Sequence, residues 1–205
     1  GGFNDEVAVV YAIVMTLAAS KKSKIEFEKL IIDVINNANE SGINSIDDYF
    51  KDQNIDLMEI KLKLDYENSR KVSYIHRIFN QLFYGPELYE EIFNEKSQFN
   101  DEPLIDLDDI VLDNNLMFKL KNRFGAKIST VTGRGKFAFS YSMKNFLEKF
   151  DIENSVFLED RPLELAKPNP DSLIESISKI NSKCSLYIGD SMEDLLMVQK
   201  CREQG

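Results

Sequence analysis

Apolar residues recur at helical spacing through the first half of the chain. Val7, Val10, Tyr11, Val14, Leu17 and Ala18 form one stripe behind Asn4 as a cap and the acidic first-turn residues Asp5 and Glu6. Phe27, Leu30, Ile31, Val34, Ile35 and Ala38 form a second, ended by Ser41-Gly42. Val72, Ile75, Phe79 and Leu82 give a third that stops at Gly85-Pro86, with a short helix over Glu87–Phe93 after it. No segment before residue 100 has a strand pattern, so this half predicts a small helical bundle.

The second half changes period. A helix is expected over Leu116–Phe124, then a strand over Lys127–Val131. Phe139, Met143, Phe146, Leu147 and Phe150 predict one helix, and Ser155–Leu158 a second strand. Leu173, Ile177 and Ile180 mark the helix after Pro170, Ser185–Ile188 a third strand, and a last helix starts near Ser191. Strands alternating with helices imply parallel βαβ units and an α/β class. The organisation that follows is a helical part over 1–95, a polar connection over 96–108 and an α/β part over 109–205.

Composition narrows the function classes. With 43% hydrophobic and 29% charged residues the chain reads as a soluble globular protein. A net charge of -10 argues against a nucleic-acid partner held by a broad basic surface. It leaves a phosphorylated substrate open, because a pocket can be locally positive on an acidic protein. The two cysteines, Cys184 and Cys201, lack metal-type spacing and read as reduced thiols. The most apolar early run, Val7–Ala19, is too short to span a bilayer, and no leading stretch has signal-peptide order. A cytoplasmic location, without a membrane partner, is the expectation.

Ligands of an open parallel sheet sit beyond the carboxyl ends of its strands. Those positions hold Thr132-Gly133-Arg134, then Glu159-Asp160 with Lys167-Pro168-Asn169-Pro170, then Gly189-Asp190-Ser191-Met192-Glu193-Asp194. Asp190 and Asp194 lie one helical turn apart and are a carboxylate pair suited to a hard cation such as Mg²⁺. Lys167 supplies a point charge for a phosphoryl oxygen. The Thr132 hydroxyl and the Gly133 amide supply donors, and Arg134 a further charge for a substrate anion. Each piece also has a plainer reading. Ser191 with Asp194 spells a capping box, Thr132-Gly133 a strand-ending turn, and Lys167 and Arg134 solvated loop charges. Their joint occurrence at strand ends is what favours phosphoryl chemistry.

In this order, Thr-Gly-Arg at 132–134, Lys-Pro-Asn-Pro at 167–170 and Gly-Asp-Ser-x-x-Asp at 189–194 resemble the second, third and fourth motifs of the haloacid dehalogenase superfamily. The helical first half, with its Gly1-Gly2-Phe3-Asn4-Asp5 opening, is similar to the cap of the phosphoglycolate-phosphatase-like branch. The resemblance implies a Rossmann-like core with a helical cap, an Mg²⁺ cofactor, and hydrolysis of a small phosphorylated metabolite through an aspartyl-phosphate. It gives Thr132, Lys167 and Asp190 catalytic parts, places Thr132, Gly133, Arg134 and Lys167 on the phosphate, and puts Asp190 and Asp194 on the metal.

One element of that pattern is missing. The superfamily's first motif, a strand ending in Asp-x-Asp, supplies the nucleophile and the acid–base. Residues 1–20 contain no such strand. Asp106-Leu107-Asp108 has the letters, but only Leu104 and Ile105 precede it as consecutive apolar residues, and it would leave the helical half as an appendage. The expectation is that the first motif and first core strand precede Gly1, that a further strand follows Gly205, and that 1–205 alone has no turnover. A phosphomutase or phosphonate hydrolase on the same fold, and a non-catalytic binding domain, are the alternatives. The sole histidine, His76, reads as a packing or surface residue.

Overall fold

The computed structural model describes residues 6–39, 41–66, 72–125, 128–181 and 184–204. The expected Asn4 cap, Asp5 and the start of the first strand at Lys127 lie outside them. The chain divides into two compact units, Gly1–Leu104 and Ile105–Gly205.

The first unit is helical. Helix α1 (Glu6–Ser23) opens on an acid and closes on Lys21 and Lys22, matching its dipole. It buries Val7, Ala8, Tyr11, Ala12, Met15 and Ala19; of the expected stripe Val7 and Tyr11 are buried and Val10 and Ala18 pack partly buried beside them, while Leu17, with Val9 and Ile13, is over 40% exposed. Thr16 is also buried and spends its hydroxyl on the Ala12 carbonyl at 2.7 Å. Helices α2 (Phe27–Asn37) and α3 (Ile43–Asp52) pack Leu30, Val34, Ile46 and Phe50 against it, and α4 (Met58–Leu64) adds the partly buried Ile60 and Leu64. Neither α3 nor α4 was expected. Asp47 ties three of these helices together, accepting from Tyr11 Oη at 3.0 Å and pairing with Lys61 Nζ at 2.6 Å.

Helix α5 (Tyr74–Phe93) consists of two helical stretches that meet at the expected stop. It bends at Gly85, whose φ of 67° and ψ of 175° interrupt the helix before Pro86 restarts it. The polar segment after it belongs to this unit as far as Leu104, since Gln81 Oε1 accepts from the Gln98 amide at 2.7 Å. His76 is buried, with Nδ1 2.8 Å from Ser73 Oγ and its ring stacked on Tyr66.

The second unit carries the sheet. Helix α6 (Asn114–Phe124) is capped by Asp113, whose Oδ1 accepts from the Leu116 amide at 2.7 Å, and it ends at Gly125 with φ 66°. Strand β1 (Val131–Thr132) pairs in parallel with β2 (Val156–Phe157), in the register Val131↔Val156 and Thr132↔Phe157. Helix α7 (Lys136–Ser142) connects them, followed by a 3-10 turn at Leu147–Lys149. The single expected helix through Phe139–Phe150 is thus broken after Ser142. Helices α8 (Asp171–Ile180) and α9 (Met192–Gln204) complete the unit. Val131, Val156, Leu158, Leu173 and Met197 form its core.

The architecture is therefore mostly helical with a small two-stranded parallel sheet among the described residues. The expected third strand is not formed: 185–188 joins no sheet, and Leu186 and Ile188 are 71% and 79% exposed. No helix among the described residues is long and apolar enough to cross a membrane.

Candidate functional site

The expected site residues fall into two groups, one around Asp108 and one around Asp194. Thr132 ends β1, and its Oγ1 accepts from the Arg134 amide at 3.3 Å. This folds the Thr132-Gly133-Arg134 turn back on itself, as its plainer reading anticipates. The Arg134 guanidinium is bound on both arms to the Asp108 carboxylate, with Nη2 3.0 Å from Oδ1 and Nη1 on Oδ2. Ser142 Oγ donates to Asp108 Oδ2 at 2.8 Å. The Arg134 hydrogen bond is the chief cause holding the Asp108 carboxyl below the usual range; burial opposes it and Ser142 assists.

The neighbouring acid is also engaged. Asp106 Oδ1 accepts from Tyr141 Oη at 2.8 Å, which raises the phenol above its ordinary range. Asp106 sits in a 3-10 turn, Leu104–Leu107, not at the end of a strand. Glu159 and Asp160, just beyond β2, accept from the Gly135 and Lys136 amides at 2.8 Å each and so cap α7.

The second group is tighter. Lys167 Nζ lies 2.6 Å from Asp194 Oδ1, with Lys167 18% and Asp194 6% exposed at the side chain. Tyr187 Oη donates to the same oxygen at 2.7 Å and lies 3.5 Å from the Val131 carbonyl, which brings the acid to the end of β1. On the other oxygen, Oδ2, the Ser191 hydroxyl donates at 2.8 Å and the Ser191 amide at 3.2 Å. The Asp194 amide returns a bond to Ser191 Oγ at 3.2 Å. That reciprocal pair is a capping box on α9. The capping-box reading of Asp194 therefore holds on Oδ2, while Oδ1 takes Lys167 and Tyr187.

Burial opposes ionisation of Asp194, but hydrogen bonds from Lys167, Tyr187 and Ser191 outweigh it and hold the carboxyl far below the ordinary range. Burial, then the Asp194 bond, pushes the Tyr187 phenol well above its own. Glu193 is raised by burial, with Lys167 pulling the other way. Gly189 is required by the close approach of this acid: a Cβ there would lie 2.4 Å from Asp194 Cβ and Cγ.

A divalent cation fits this arrangement poorly. The four hydrogen bonds on Asp194 use both oxygens in full, and Asp190, exposed at the surface, is the open carboxylate of the pair. Among the described residues no group of three or more His, Cys, Asp or Glu side chains could hold a metal ion. Tyr187 is the site residue that sequence reasoning missed, since within Leu186-Tyr187-Ile188 it reads as one more strand residue. Comparison with protein-family models, with curated proteins and with solved structures finds no match.

Proposed function

We propose that the second unit carries a phosphoryl-transfer site of the haloacid dehalogenase type, in a phosphatase acting on a small phosphorylated metabolite through an aspartyl-phosphate. The observation that carries this reading is the Lys167–Asp194 pair, joined through Tyr187 to the end of β1, where Thr132 and the Gly133 amide lie. Lys167 is the cation for a phosphoryl oxygen, and Thr132 and Gly133 are its neutral donors. The finer architecture proposed is a Rossmann-like core in this unit and a cap in the helical one.

The nucleophile is proposed to lie on a strand ahead of Gly1. Asp106 and Asp108 are poorly suited to the part, being held by Tyr141, Arg134 and Ser142 within a 3-10 turn and the segment after it. A cleft of about 330 Å³ runs beside β1, lined by Ile128, Val131, Ile177, Leu186 and Ile188 among others. An apolar strand has the chemistry to fill it and to cover Leu186 and Ile188. Mg²⁺ belongs to the proposal as the cofactor of such enzymes. It would be held through Asp190 and carboxylates from outside the described residues.

A non-catalytic binding domain is the second reading. It is favoured by the pairing of both expected phosphate-binding cations with internal acids, Arg134 with Asp108 and Lys167 with Asp194. The test is hydrolysis of p-nitrophenyl phosphate with Mg²⁺, by residues 1–205 and by a chain extended upstream. The expected result is turnover in the extended chain alone, lost in K167A and D190N. Activity in 1–205 that D106N abolishes would place the nucleophile at Asp106. Inactivity of both chains would favour the binding domain.

A further inference from the structure

We propose that Tyr187 is a positioning residue of this site, fixing Lys167 through Asp194; the inference rests on the phosphoryl-site reading above. The tyrosine meets the ion pair from two directions. Its hydroxyl donates to Asp194 Oδ1 at 2.7 Å, and its ring lies 5.9 Å from Lys167 Nζ, within reach of a cation–π contact. Oδ1 is also the oxygen that holds Lys167 at 2.6 Å. An oxygen with two acceptor directions, one of them taken by the phenol, leaves the ammonium a single direction of approach.

The proton has one destination. Oη is 3.5 Å from the Val131 carbonyl but 2.7 Å from a charged carboxylate, and the shorter, charge-assisted bond takes it. Burial and the neighbouring acid keep the phenol protonated, so the donor persists through the physiological range. The carboxylate cannot turn away, because its other oxygen is clamped to the start of α9 by Ser191. Lys167 is thereby referred to α9 through Asp194, and to the tyrosine, whose ring is packed against the core that includes Val131 of β1. Packing explains the ring of Tyr187, which lies against the Val131–Met197 core. It does not explain the hydroxyl, since a phenylalanine would fill the same volume.

Y187F separates the two roles in residues 1–205. Two measurements are made on native protein and variant: orthophosphate affinity by titration calorimetry, and the ¹⁵N-edited signal of the Lys167 ammonium, assigned with K167R. A positioning role predicts roughly tenfold weaker orthophosphate binding and broadening or loss of the Lys167 signal, with an unchanged far-ultraviolet spectrum. Unchanged affinity together with an unchanged Lys167 signal would overturn the proposal and leave the phosphoryl-site reading standing. If neither native 1–205 nor the chain extended upstream binds orthophosphate, that reading fails in its turn. The Lys167 signal then decides Tyr187 alone: its loss in Y187F upholds the positioning role, and its persistence overturns it.

Discussion

Lys167 Nζ sits 2.6 Å from Asp194 Oδ1, and both side chains are largely withdrawn from solvent. Removing one partner of such a pair strands the other charge, which costs about 3 kcal/mol. K167M is expected to lower the stability of the second unit by about that amount in urea unfolding. D194N is expected to cost at least as much, because it also breaks the α9 cap. The two losses should fall short of additive, since they break one contact; full additivity would show that the pair is not coupled.

Gly189→Ala tests the close approach directly. The added methyl would stand 2.4 Å from Asp194, so the acid must move and its bonds to Lys167, Tyr187 and Ser191 must loosen. A loss of about 2–3 kcal/mol is expected from the steric conflict. Thermal unfolding reads it, and an unaltered midpoint would contradict the packing described.

Acid sensitivity follows from the depressed carboxyls. Asp194 and Asp108 titrate below their unfolded values when folded, so the unfolded chain binds more protons as the pH falls. Their stabilisation is complete well above the unfolded value of about 4 and is lost as the pH drops through the folded one. The stability gap between native protein and D194N should therefore be widest near neutrality and narrow below about pH 4. Urea titrations across that range check it, and a constant gap would contradict the assignment.

Arg134 and Asp108 hold the segment entering the second unit. Replacing Asp108 by Asn removes a two-armed ionic contact and is expected to cost about 1–2 kcal/mol. Proteolysis near residues 104–110 should quicken in D108N. If D108N instead abolishes phosphatase turnover in an active longer chain while leaving this segment protected, the acid has a chemical part.

Gly85→Ala should destabilise the helical unit. The position has φ 67°, and a Cβ there would stand 3.0 Å from the Pro103 side chain. Backbone strain and crowding together predict about 1–3 kcal/mol. A thermal melt that does not shift would show that the bend tolerates a side chain.

Some of this was legible from residue order and some was not. Helix α2 could be read from its helical period: Leu30 and Val34 of the expected stripe are buried, although Ile35 of that stripe is 63% exposed. Helix α1 was legible as a helix but not in its facing, because it is apolar nearly all round; the neighbours chose Tyr11, Met15 and the small residues Ala8, Ala12 and Ala19 as the buried side. Helix α4 could not be read because its seven residues are too few to show a helical stripe; packing of Ile60 and Leu64 on the helical core fixes it. At 185–188 the strand pattern is present but no neighbouring strand pairs with it among the described residues.

By itself the sequence determined which local elements the chain prefers, through periodicity and caps such as Asp113 and Ser191, and it set Lys167, Asp190 and Asp194 out as reactive types beside turns. Only the tertiary structure decided their partners. It gave Asp194 to Lys167, Tyr187 and Ser191 together, and it gave Arg134 to Asp108. The reason is range: a cap or a helical stripe is fixed within a few residues along the chain. The pairing of residue 167 with 194, or of 108 with 134, depends on the parallel β1–β2 contact and the helices packed on it, which no local pattern records.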